Sequence, residues 1–111
     1  MTPKYAPERG DAVWIDFNPQ LGHEQRGRRP ALVISHRSYN EKVGLALLCP
    51  ITSKVKGHPF EVEVASPKLN GAILSDQIKS LDWTVRNTEF IEKVDPSVLS
   101  QVLGRIEALI N

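Results

Sequence analysis

Apolar and polar side chains alternate with a period of two through most of this chain, and the period lengthens to that of a helix only near its end. In Asp11 to Phe17, Val13, Ile15 and Phe17 share one face and Trp14 and Asp16 the other, which predicts a half-buried strand. Ala31 to Ser35 is apolar until its last residue, the pattern of a strand covered on both faces. Gly44 to Thr52 predicts a third strand, in which Pro50 marks an edge or a bulge. Phe60 to Ala65 sets Phe60, Val62 and Val64 inward and Glu61 and Glu63 outward. Ala72 to Trp83 reads as one long strand, with Asp76 interrupting the apolar positions Leu74 and Ile78, and Thr88 to Val94 as a last short one.

The segments between these runs carry turn chemistry. Residues 1–10, with Pro3 and Pro7, read as an extended lead-in, His36 to Lys42 as a short helical turn or loop, Ser53 to Pro59 as a polar link, and Ser66 to Gly71 as a turn. Asp95-Pro96 predicts a helix start, an N-cap followed by proline at the first helical position. Val98, Leu99, Val102, Leu103, Ile106, Leu109 and Ile110 then form one stripe at helical spacing, interrupted by Gly104. Five or six short strands closed by one amphipathic helix predict a mainly β domain spanning residues 1–111, a small curved antiparallel sheet or partly open barrel.

Composition narrows the function classes only a little. With 41% hydrophobic and 24% charged residues the chain is ordinary for a soluble globular protein, and its net charge of +1 is uninformative as a total. A nucleic-acid binder of this composition needs its cations clustered, and Arg26, Arg28, Arg29, Lys54 and Lys56 are candidates. Cys49 is the only cysteine, which rules out an intrachain disulfide. In its apolar surroundings it reads as a small buried hydrophobe rather than a nucleophile. No signal segment and no run of membrane-spanning length is present, so the expected compartment is the cytoplasm.

The densest chemistry lies between Asn18 and Ser35, where His23, Glu24, Gln25, Arg26, Arg28 and Arg29 crowd into seven positions flanked by Gly22 and Gly27. Pro30 biases Arg29 toward extended backbone and is expected to open the next strand at its first residue. A carboxylate, an imidazole and three guanidiniums within reach of one another suit an anion that undergoes proton transfer.

The same stretch resembles a known family. G-D-A-V-W-I-D-F-N-P at 10–19 and G-H-E-Q-R-G-R-R-P-A-L-V-I-S at 22–35 are similar to the MazF/PemK toxin endoribonucleases of type II toxin–antitoxin modules. C-P-I-T-S at 49–53, K-G-H-P-F-E-V at 56–62 and G-A-I-L-S-D-Q-I-K-S at 71–80 follow in the family's order. The resemblance implies an SH3-like barrel, a homodimer, and cleavage of single-stranded RNA at short motifs without a metal or other cofactor. It also implies a cognate antitoxin lying over the RNA site, with operator DNA bound only through the antitoxin complex, and no membrane partner. Its functional positions fall on Arg29 and Thr52, with Glu24 in the adjoining loop. A second branch of the family stresses a loop histidine and a strand aspartate, here His23 and Asp76, together with an arginine where this chain has Leu74.

RNA cleavage by the neighbouring 2′-OH needs a base for that proton, an acid for the departing 5′-oxygen, and donors for the phosphorane. Arg29 suits the last role, because its planar fork matches phosphate oxygens and stays protonated. Thr52 can donate a hydrogen bond to a phosphate oxygen. Glu24, His23 and Asp76 are the candidates that titrate, His23 near neutrality and Glu24 better as a base or as an orienter of Arg29. Arg26, Arg28, Lys54, Lys56 and Lys79 are expected along a phosphate track, with Gln25 and Asp76 among the RNA contacts. Gln77 and either Trp14 or Trp83 are candidates for reading or stacking bases. The rival readings are a toxin of the same fold that binds a protein such as DNA gyrase through its C-terminal helix, and a non-catalytic RNA-binding barrel.

Overall fold

A computed structural model describes residues 5–17 and 27–111. The elements in chain order are β1 (Asp11–Asp16), β2 (Arg28–Val33), α1 (Arg37–Val43), β3 (Ala46–Thr52), β4 (Glu61–Ala65), β5 (Asn70–Leu74), β6 (Lys79–Leu81), a 3₁₀ turn (Trp83–Val85), β7 (Glu89–Lys93) and α2 (Pro96–Ile110). All pairings among the described residues are antiparallel, in the order β4-β5-β3-β2-β1-β7, with β6 also paired to β3. The sheet curls so that Ser66, after β4, hydrogen-bonds Glu92 of β7 at 2.6 Å, and α2 packs across β4. This is a mainly β, partly open antiparallel barrel with a C-terminal helix.

The central strands bury both faces, as the unbroken apolar run at Ala31 predicts. Ala12, Leu32, Cys49, Ile51, Val62 and Ile73 pack with Val102 and Ile106 of α2. Val13, Ile15, Ala31, Val33 and Leu48 form a second cluster on the other face, closed by Tyr5, Phe17, Leu81 and Trp83. Asp95 caps α2 by accepting the Ser97 N–H at 2.8 Å. The apolar stripe of α2 outruns the core, since Leu109 and Ile110 are exposed. Among the described residues no helix is long and apolar enough to cross a membrane.

Four expectations need correcting. First, β2 begins at Arg28, so Pro30 is its third residue and lies opposite Trp14. Pairing of β2 with β3 starts only at Ala31, which leaves one flank open where the N–H is missing. Pro50 obeys the same rule, because β6 pairs with positions 46–48 of β3 and β5 with 51–52, leaving a gap between them.

Second, the long strand from Ala72 to Trp83 is broken into β5, a turn, β6 and the 3₁₀ turn. The alternation runs through the turn at Ser75 and Asp76 because the chain crosses there from one segment of β3 to another. Asp76 is exposed in that turn rather than set in a strand face. Third, Asn70 and Gly71 belong to β5, which shortens the turn expected over Ser66 to Gly71. Fourth, Glu61 is buried instead of facing solvent, for a reason considered below.

Candidate active site

Ala31 lies opposite Pro50 in the β2–β3 ladder. Arg29 is two residues before Ala31 and Thr52 two residues after Pro50, so strand periodicity sets both on the face that this pair occupies, at adjoining strand ends. Both line a cleft of about 580 Å³, together with Trp14, Lys54, Lys68 and Asn70. Trp14 is 39% exposed although Val13 and Ile15 beside it are fully buried. Lys68 comes from the turn joining β4 to β5 and Asn70 is the first residue of β5, and the pairing of β5 with the end of β3 brings both against Thr52.

Two local features fix the Thr52 hydroxyl. Its oxygen accepts the Lys54 N–H at 3.1 Å, which leaves its O–H to donate outward. Beneath it, Gly71 packs so closely that a Cβ there would overlap the Thr52 carbonyl oxygen. The end of β3 is therefore seated on a bare patch of β5.

A second, smaller cleft of about 160 Å³ adjoins the first through Thr52 and Lys54 and is lined further by Lys56, His58, Glu61 and Gln77. Three cations line the first cleft and no carboxylate does among the described residues. Glu61, the one acid among the described residues of the second cleft, is occupied by backbone N–H groups. The joined surface is suited to a chain of phosphates rather than to a single small anion.

The structure thus brings Arg29, Thr52, Lys54, Lys56 and Gln77 together along one track, with Trp14 as its flat apolar member. Arg28 is not on that track: its guanidinium meets Asp16 at 3.3 Å and Glu89 at 2.7 Å and donates to the Asn87 carbonyl at 2.8 Å. Strand periodicity turns it to the side opposite Arg29, and its pairing with Asp16 and Glu89 holds it away from the cleft. Lys79 and Asp76 are exposed but line neither cleft. Trp83 packs on the second core cluster and donates Nε1–H to the Asn40 carbonyl, a structural placement. His23, Glu24, Gln25 and Arg26 lie outside the described residues.

Sequence reasoning missed Lys68, Asn70 and His58. The turn cluster S-P-K-L-N-G was visible, but nothing in its spacing says which strand end it meets. Cys49, three residues before Thr52, is buried, and burial first, then the Asp76 charge, pushes its thiol up to about 12. A thiol so poised stays neutral near pH 7 and is no nucleophile.

Comparison with known proteins agrees with this fold. Residues 8–110 match the family of PemK-like, MazF-like toxins of type II toxin–antitoxin systems. The chain is 41% identical over 110 residues to the endoribonuclease toxin MazF of Escherichia coli K12, covering 99% of both chains. It is 32% identical over 116 residues to the endoribonuclease toxin ChpB of the same organism, again covering 99% of each. A solved MazF structure from Deinococcus radiodurans superposes with a TM-score of 0.86 at 44% identity, covering 96% of this chain and 98% of that one. The MazE–MazF complex from the same organism gives 0.86 at 39% identity, covering 96% of this chain and 97% of its match. With the family pattern spanning nearly the whole chain, and with Arg29 and Thr52 meeting at one cleft, this protein belongs to the PemK-like, MazF-like toxins of type II toxin–antitoxin systems.

Proposed function

We propose that this endoribonuclease toxin cleaves single-stranded RNA by attack of the 2′-OH, with Arg29 and Thr52 stabilising the phosphorane. The observation that carries the reading is the convergence of a guanidinium and a threonine hydroxyl, whose oxygen already accepts the Lys54 N–H, on one cationic cleft. The 2′-oxygen bonds to phosphorus while its proton passes to a base. The P–O5′ bond then breaks, and the 5′-oxygen takes up a proton. The products are a 2′,3′-cyclic phosphate and a 5′-OH, so no water and no external oxidant or metal is consumed in the balance. Arg29 supplies charge-assisted, potentially bidentate bonds to the non-bridging oxygens. In this reading Arg29 is a donor to phosphate oxygens, for which its planar fork is suited, and not the base. Proton transfer falls to His23 and Glu24, with either as base.

Lys54 and Lys56 guide the phosphates, Lys68 and Asn70 add to the near wall, and Trp14 offers a stacking face for a base. A cognate antitoxin covers this surface in the toxin–antitoxin complex, a partnership supported by the family match and by the MazE–MazF likeness. Homodimeric assembly and a cytoplasmic site of action belong to the same reading.

The test is incubation of purified protein with a long single-stranded RNA in EDTA, followed by mapping of both fragment ends. Discrete cuts with 2′,3′-cyclic phosphate and 5′-OH ends are expected. A 5′-phosphate end, or cleavage abolished by EDTA and restored by a divalent metal, would overturn the mechanism. Intact RNA from folded protein would overturn the activity and favour a toxin that binds a protein target.

A further inference from the structure

The alternation of β4 assigns Glu61 to solvent, yet its side chain is only 3% exposed. A carboxylate withdrawn from water is costly unless bonds replace its hydration. Here Oε1 accepts the N–H of Lys56 at 3.1 Å and of Gly57 at 2.8 Å. Oε2 accepts the Lys56 N–H at 3.2 Å and lies 3.4 Å from Nε2 of His58. Every one of these partners belongs to the link between β3 and β4.

The same link is fixed at three more points. Lys54 N–H donates to Thr52 Oγ1, Glu61 N–H donates to the His58 carbonyl at 3.1 Å, and Arg105 Nε donates to the Pro59 carbonyl at 3.0 Å. Gly57 takes a φ of +78° to complete the path. Residues 53–59 are nevertheless exposed throughout, so ordering them buries almost no apolar surface while costing conformational entropy. What the ordering does accomplish is to set Lys54, Lys56 and His58 as one wall of the smaller cleft, continuous with Thr52.

We propose that Glu61 is a positioning residue for RNA: by holding the Lys56 and Gly57 amides it shapes a second subsite, which takes a nucleotide adjoining the one cleaved. The inference rests on the RNA-cleaving reading and deepens it, since it assigns the smaller cleft to substrate affinity rather than to the chemical step.

The experiment compares Glu61→Ala and Glu61→Gln with the parent protein on an RNA oligonucleotide carrying its mapped cleavage motif. It also uses the same oligonucleotide with 2′-O-methyl at the cleaved position, which binds without reacting, and amide hydrogen exchange resolved to Lys56 and Gly57. Glu61→Ala is expected to raise KM, and Kd for the analogue, by about tenfold, the equivalent of roughly 1.4 kcal/mol. Its kcat should stay within about twofold of the parent, the signature of lost binding common to ground and transition states. The two amides should exchange faster while those of β1 to β3 keep their protection. Glu61→Gln keeps one acceptor oxygen for both amides and should restore most of the affinity.

Parental KM and Kd in Glu61→Ala would overturn the proposal, as would a fall in kcat accompanied by faster exchange across the sheet. Should Glu61→Ala not fold, Gly57→Ala perturbs the same link independently: nothing lies within 4 Å of its added Cβ, and only its positive φ is strained. The same rise in KM is expected there, and an unchanged KM would sink the idea. A parent that fails to bind the analogue at all would instead bring down the RNA reading itself.

Discussion

On one side of β2 the Arg28 guanidinium is held by Asp16, Glu89 and the Asn87 carbonyl, and its side chain is only 19% exposed. One residue later, on the other side, Arg29 faces a cleft whose described lining adds Lys54 and Lys68 and no carboxylate. The charges are identical and the surroundings are not. Arg28 has its donors taken by acceptors of the protein, which makes it a tie between β1, β2 and β7. Among the described residues Arg29 meets only like charges across the cleft, an arrangement that suits an anion coming to occupy it. A guanidinium paired within the fold ties strands together, and one without an acceptor among the described residues suits an incoming anion.

Exchanging the two roles gives the largest expected effect. Arg29→Ala should reduce cleavage by roughly 10²–10³-fold, the usual loss when a preorganised donor to a developing oxyanion is removed. Its melting temperature should stay close to the parent's. Arg28→Ala should do the reverse, losing about 1–3 kcal/mol of stability as Asp16 and the Asn87 carbonyl lose their donor. Cleavage by its folded fraction should stay close to the parent rate. Thermal melts alongside initial rates well below the transition decide the matter. An Arg28→Ala protein that melts normally but cannot cleave would collapse the contrast.

Gly71→Ala comes next, because it strikes the seat of the site rather than a reacting group. The added Cβ overlaps the Thr52 carbonyl, so β3 must move away from β5. Overpacking of this kind costs about 1–3 kcal/mol. Thr52 should be displaced with it, and a shift of even an ångström in a positioning group lowers rates by on the order of 10²-fold. Gly104→Ala is the control, since its added Cβ meets nothing within 4 Å. That variant should cleave normally and melt no lower than the parent. Full activity in Gly71→Ala would show that the end of β3 is not held as described.

Which parts of this arrangement could be read from sequence follows from the reach of each interaction. Strand positions, the Asp95-Pro96 helix start and the Arg29–Thr52 pair were legible, the first two because periodicity and capping are local and the third because the family resemblance supplied it. The pairing of Arg28, expected instead along the phosphate track, was not legible because its partners Asp16 and Glu89 are 12 and 61 residues away, and composition cannot show which of two adjacent arginines faces them. Glu61 was misread for a related reason. Alternation reports which face of a strand a residue occupies, but the link that folds over that face is invisible to it. Lys68 and Asn70 reach the cleft only through the β3–β5 register, which is tertiary information.

The two tryptophans extend the contrast from charge to aromatic surface. Trp14, 39% exposed in the cleft, should serve as a platform, while Trp83 is committed to the core and to the Asn40 carbonyl. Trp14→Ala should therefore weaken binding of a non-cleavable RNA analogue by roughly 1–3 kcal/mol, the range for loss of one base–aromatic stack. It should leave the melting temperature nearly unchanged. Trp83→Ala should lower the melting temperature and spare the affinity of the folded fraction. Fluorescence titration separates the cases, since quenching by RNA should vanish with Trp14 and persist without Trp83.

The smallest effects are expected from Lys54 and Lys56, and they bear most directly on whether charge in the clefts is open to substrate. Each lysine that neutralises one phosphate of a single strand releases its counterions, so each replacement by alanine should reduce the slope of log K against log salt by about 0.7. Near physiological salt the affinity itself should change only a few-fold, because flexible lysines act as point charges rather than as oriented donors. The chemical step, read from single-turnover cleavage at saturating protein, should be almost untouched. Arg28→Ala supplies the internal reference: its guanidinium is already neutralised by Asp16 and Glu89, so RNA has no counterion to release there and the slope should equal the parent's. Equal slopes for all three variants would mean that the lysines never meet phosphate. A reduced slope for Arg28→Ala would mean that its ion pairs open to let RNA in, and that adjacent arginines on opposite faces of β2 share one task after all.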